Sequence, residues 1–208
     1  MNSDVYDCWS STLTISSIHK MKMPIQRKAA TGFTLIELLI VVIILAILAA
    51  IVIPQFSNST KDAQEATMDT NLGALRSAIE LYKVQHNGVY PGTAVASGGT
   101  LCTGTAGTGA ALTSQALIDQ LTLATDATGV ACNVADTKYR FGPYLRQGMP
   151  NEPVSSKGAL PADIVTANLG TPLTATAATG GYAYDFKSGQ LIVNSNATDL
   201  KAKAYSTH

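Results

Sequence analysis

The chain is predicted to be α+β: one long N-terminal α-helix, membrane-spanning in its first half and amphipathic in its second, packed on a small antiparallel β-sheet head. Three observations predict it. Residues 38–53 are sixteen consecutive apolar residues. Beyond them Met68, Leu72, Leu75, Ile79 and Tyr82 recur every three or four positions, the period of one helix face. Further on, Tyr182-Ala183-Tyr184-Asp185-Phe186, then Lys187-Ser188-Gly189, then Gln190-Leu191-Ile192-Val193-Asn194 reads as a β-hairpin with a glycine turn.

The helix comes first. Adding residues 33–37 to the apolar run gives, at about 1.5 Å per residue, enough length to cross roughly 30 Å of hydrocarbon. The run is apolar all round, whereas the segment after it carries a single apolar stripe, the mark of a helix lying on a globular domain. Pro54 removes a backbone donor and crowds the carbonyl of Ala50, so a kink is expected there. Asn87-Gly88 supplies the left-handed stop.

One carboxylate interrupts this picture. Glu37 lies inside the apolar segment, where an ionisable group costs about 2.5–3.5 kcal/mol on insertion scales, so it is read as functional and in need of a cation. Lys20, Lys22, Arg27 and Lys28 precede the run, and the next basic residue, Lys61, is balanced by Asp62 and Glu65. The positive-inside rule therefore keeps the residues before Phe33 in the cytoplasm and exports those after Pro54. Overall the 14 basic and 14 acidic residues balance, and only 13% of the chain is charged, which argues against a nucleic-acid partner.

Beyond the helix, residues 89–109 read as a loop rich in Gly, Thr, Ala and Ser. Thr113 or Ser114 is placed to cap a short helix running to Leu123, and Tyr139 to Leu145 is a further strand candidate broken at Gly142-Pro143. Cys102 and Cys132 fall on the exported side, where a disulfide persists; a bridge over such a loop is worth roughly 3–4 kcal/mol in the chain-entropy model. Cys8 is left out on the cytoplasmic side. Gly104-Thr105-Ala106-Gly107-Thr108-Gly109 lacks the strand and lysine of a phosphate-binding loop. His19, His86 and His208 are scattered, and no residue set has the spacing of a metal site or a nucleophilic triad. No cofactor and no enzymatic activity are expected.

Gly32-Phe33-Thr34-Leu35-Ile36-Glu37, preceded by a short basic segment and followed by the apolar run, resembles the cleavage and methylation site of type IV pilins and of the pseudopilins of type II secretion. The resemblance implies the pilin fold and a structural role. It also implies that a prepilin peptidase/methyltransferase cuts after Gly32 and N-methylates Phe33, and that Pro54 is the family's helix-bending proline. The implied layout is a leader of residues 1–32, with the true start read at Met21 or Met23, a transmembrane and filament-core helix of 33–56, its amphipathic half 57–87, and a globular head 88–208. Partners implied are further copies of the chain, minor pilins and an inner-membrane assembly platform. The implied location is the bacterial inner membrane, N-terminus cytoplasmic, and then a periplasmic or cell-surface filament.

The physics of the residues fits. A glycine before the cut leaves the backbone accessible. The new amine of Phe33, with a pKa near 8, is cationic at neutral pH and supplies the partner that Glu37 lacks. Paired with Glu37 of a neighbouring subunit, it would set axial register, since an unpaired charge in low dielectric is penalised.

In the head the resemblance is looser. Tyr82-Lys83-Val84-Gln85-His86-Asn87-Gly88-Val89-Tyr90-Pro91 is similar to the helix exit of the major type II pseudopilin, and Gly142-Pro143-Tyr144-Leu145 and Gly181-Tyr182-Ala183-Tyr184-Asp185 are similar to short prepilin-type proteins. The calcium-binding segments of the major pseudopilin are missing. Two other readings stand beside this one. A secretory signal is offered by the small residues of Ser57-x-Ser59, but its apolar core would be far shorter. A membrane-anchored binding domain that never polymerises is the second.

Overall fold

The computed structural model describes residues 32–98, 101–175, 179–199 and 201–208. Among the described residues, helix α1, Leu35–Gln85, is followed by α2, Ser114–Thr122, and by five short strands: β1 Ala124–Thr125, β2 Ala131–Cys132, β3 Ile164–Ala167, β4 Tyr182–Asp185 and β5 Leu191–Val193. Single 3₁₀ turns occupy Pro161–Asp163 and Tyr205–Thr207.

Contacts divide the chain into a unit of residues 1–46 and a unit of residues 47–208. In the first, the described side chains of α1 are exposed throughout. The second holds the head. There α1 buries Met68, Leu72, Leu75, Ala78, Ile79 and Tyr82, the stripe expected from the periodicity. The helix ends where Asn87 (φ 53°) and Gly88 (φ 82°) enter the left-handed region, with the Gly88 amide bonded back to the Lys83 carbonyl at 2.8 Å. Pro54 lies within an unbroken helical assignment.

The stripe packs against Tyr182, Tyr184, Phe186, Leu191 and Val193 of the hairpin and Leu117 and Leu121 of α2 in one core. The expected hairpin is present, with β4 antiparallel to β5 and Ala183 opposite Ile192. The sheet nevertheless differs from the expected purely antiparallel one. β3 adds to β4 in parallel, Ile164 opposite Tyr182, so the three strands form a mixed sheet in the order β3-β4-β5. A parallel neighbour needs a crossover of a dozen or more residues, and here the connection between β3 and β4 supplies it. Part of that connection covers the second face: Leu169, Pro172 and Leu173 line a cleft with Ala183. Every residue of β4 and β5 is buried.

Thr113 caps α2, its hydroxyl accepting from the Ala116 amide at 3.2 Å. α2 in turn organises the glycine-rich loop. Asp119 Oδ2 accepts from the amides of Thr108 (2.7 Å) and Gly109 (2.9 Å), and the wholly buried Gln120 accepts from Gly92 N while donating to the carbonyls of Ala94 and Gly129. The strand candidate at Tyr139 to Leu145 reduces to one bridge, Phe141 with Thr125. Gly142 turns the backbone to φ 71° and Pro143 has no donor for a ladder.

From there the chain runs along α1 against its direction. Tyr144 Oη donates to Gln85 Oε1 (2.7 Å), Asn71 Nδ2 to the Asn151 carbonyl (3.3 Å), and Gln64 Nε2 to the Pro153 carbonyl (3.3 Å). A second fastening involves Arg76, which donates to the Leu191 carbonyl through Nε (3.3 Å) and Nη2 (3.0 Å) and to the His208 carbonyl through Nη1 (3.0 Å). The His208 ring sits between Asp69 (2.8 Å) and Asp199 (3.4 Å).

Candidate functional site

The start of α1 is built from Thr34 and Glu37. Helical residues begin at Leu35, so Thr34 occupies the cap and Glu37 the third helical position. Such an end leaves backbone amides without intrahelical acceptors. Here the Glu37 amide donates to Thr34 Oγ1 at 3.2 Å, while Glu37 Oε2 accepts from the Thr34 amide at 2.9 Å and from the Thr34 hydroxyl at 2.8 Å. This is a reciprocal capping box. Sequence reasoning sought a cation for Glu37 and missed it, although the signal, a Thr followed three residues later by Glu before an apolar run, was present. The carboxylate therefore has a hydrogen-bonding partner at the start of its own helix. Among the described residues nothing bonds to Oε1.

Phe33 lies just outside the helix and is 87% exposed. It lines one shallow groove with Glu37, Leu38, Val41 and Val42, so the two residues picked from the sequence share one surface. Gly32 precedes them, and among the described residues beyond its chain neighbours no atom lies within 4 Å of where a Cβ would stand. From there Leu35, Ile36 and every large apolar residue to Ile53 are exposed, a surface far larger than the few hundred Å² that water-soluble monomers tolerate. α1 is long and apolar enough to cross a membrane.

The remaining singled-out residues lie elsewhere. Cys102 and Cys132 form a disulfide with Cα atoms 5.6 Å apart, closing the loop that carries α2. Among the described residues, no three His, Cys, Asp or Glu side chains gather as a metal site would require. Cys8, His19 and the basic residues before the apolar run lie outside the described residues.

Residues 27–53 match the family model of the prokaryotic N-terminal methylation motif. The start of this chain is thus similar to that of the type IV pilin and pseudopilin family. Curated relatives of that family agree. One is a type II secretion system core protein G of Pseudomonas aeruginosa, 41% identical over 33% of this chain and 47% of its own length. The type IV narrow pilus major component PilA5 of Thermus thermophilus is 47% identical over 29% of this chain and 52% of its own. The type IV major fimbrial protein FimA of Dichelobacter nodosus is 53% identical over 24% and 31% respectively. The chain thus spans about half the length, or less, of these pilin-family relatives. No solved structure matches it.

Proposed function

We propose that this chain is a structural subunit of a type IV pilus-like filament. It is inserted in the inner membrane as a prepilin, cleaved after Gly32, N-methylated at Phe33 and polymerised through α1. One observation carries the reading: Glu37 is the one carboxylate in the exposed apolar segment 33–53, at the fifth position after Gly32 and within the matched methylation motif. The leader is then residues 1–32, the transmembrane and filament-core segment 33–56, the amphipathic half 57–87 and the head 88–208. The positive-inside rule places the N-terminus in the cytoplasm and the head outside it.

In this reading Thr34 occupies Oε2 of Glu37 and leaves Oε1 for the ammonium of Phe33 in an adjacent copy. A copy out of register would leave both charges unpaired in a low-dielectric core, a loss of several kcal/mol. The partners are a prepilin peptidase/methyltransferase, further copies, minor pilins and a membrane assembly platform. Relatives bearing both pilus and secretion names support either machine; a retraction ATPase gene nearby marks a pilus, an outer-membrane secretin with secretion genes a pseudopilus. Intact-mass analysis of sheared filaments from cells with and without the peptidase tests the reading. Expected is a subunit beginning at N-methyl-Phe33 in the first case and no filament in the second. A full-mass chain that still functions without the peptidase identifies a non-polymerising anchored domain instead.

A further inference from the structure

Where α1 ends, His86 is buried and unusually placed. Its ring stacks on Tyr82, centroids 3.8 Å apart and planes 6° from parallel, with the Phe141 ring edge-on at 5.1 Å. Nδ1 lies 2.9 Å from the Tyr82 carbonyl oxygen in its own helix. Nε2 lies 3.0 Å from the Asp126 carbonyl oxygen and 3.1 Å from Thr125 Oγ1, both beyond the helix. The two carbonyls only accept, so both contacts are hydrogen bonds only when both ring nitrogens carry protons. In the neutral ring one nitrogen is a bare lone pair facing a carbonyl oxygen, and if that nitrogen is Nε2, only the Thr125 hydroxyl can still donate to it.

We propose that His86 is a proton-operated latch: protonated, it donates to both carbonyls and draws the last turn of α1 against the Thr125–Asp126 turn, and deprotonated, it gives up the bond to one of the two carbonyls. Among the described residues, these charged and titratable groups face it from the elements packed around it. From α1 the ring of Tyr82 stacks on it; from the 139–145 segment the Tyr144 ring lies 6.4 Å away and the Arg140 guanidinium stands 4.9 Å from the centre of the Phe141 ring. The carboxylate of Asp126, whose backbone carbonyl faces the ring, is committed elsewhere: Oδ1 accepts from Thr128 and Val130, and Oδ2 lies 3.9 Å from Lys138 Nζ. The cation is therefore held by carbonyl dipoles, those at the C-terminal end of α1 included, rather than by an ion pair. The latch stands independently of any filament.

The test is a titration of the full chain in detergent, with histidine ring nitrogens labelled, from about pH 5 to about pH 9, which brackets histidine's ordinary pKa of about 6.5. Expected is one protonation step of the His86 ring that the backbone amides of residues 86–88 and 125–130 follow together. A ring that titrates while those amides stay still overturns the latch, as does a ring that keeps one state across the range. His86→Gln retains one donor and one acceptor but no titration. It is expected to abolish the amide step and flatten any fall of the thermal midpoint with rising pH. An amide step that persists in that variant assigns it to another group and also overturns the proposal.

Discussion

Thr34 and Glu37 cap the same helix end from opposite directions, the amide of one bonded to the side chain of the other. The carboxylate that is costly in a membrane thus also starts the helix. Removing either half opens the first turn. Thr34→Val is expected to destabilise the start of α1 by about 1 kcal/mol and Thr34→Ser to retain most of it, read as amide-exchange protection at residues 34–38 in detergent.

Glu37→Val separates the costs from the benefits. Loss of a charge favours insertion, so the variant should remain in the membrane and be processed, while filament yield falls. Yield equal to wild type would remove Glu37 from any role in register.

Gly32→Ala, or a larger residue, should leave insertion and the head unchanged and block processing. The measurement is intact mass in cells that hold the peptidase. A mature chain beginning at Phe33 in such a variant would show that a glycine at this position is not what the peptidase requires.

Arg76 joins α1 to β5 by two bonds to a single carbonyl. Arg76→Ala strands the Leu191 carbonyl and should lower head stability by about 1–3 kcal/mol, seen in thermal unfolding monitored by near-ultraviolet dichroism. Arg76→Lys should recover only part, since an ammonium cannot reproduce the planar fork.

Acid should loosen the head through two aspartates. Burial pushes the Asp185 carboxyl up, but bonds from the Ser188 hydroxyl and the amides of Leu169, Ser188 and Gly170 outweigh it and hold it below the usual carboxylate range. At Asp199 burial likewise pushes up, and the Lys203 and Lys201 amides and then His208 prevail, again lowering it. A carboxyl depressed in the folded state contributes stability that is present above its unfolded pKa of about 3.9 and lost as pH falls through the lower folded value. Thermal midpoints should drop below about pH 4, and Asp185→Asn should flatten part of that drop.

The helix, its stop at Asn87-Gly88, the hairpin and the cap at Thr113 were legible because each is set by residues close in sequence: a period, a left-handed turn, a hydroxyl before a helix. β3 was not. Ile164–Ala167 has no hairpin partner beside it and becomes a strand only because β4 lies alongside, a pairing made across a long connection. The buried outer face of β4 was hidden for a similar reason, since its cover comes from Leu169 to Leu173 rather than from the strand's own alternation. At the site, the motif gave Gly32, Phe33 and Glu37 but drew attention to charge, and the uncharged partner Thr34 went unread.

The apolar stripe of α1 is made early on the ribosome, whereas the strands that cover it, Tyr182–Asp185 and Leu191–Val193, are made about a hundred residues later. Throughout that interval Leu72, Leu75, Ile79 and Tyr82 have nothing of their own sheet to pack on. The nascent head is a ready client for holding chaperones, and a chain truncated before β5 would be a target for proteolysis.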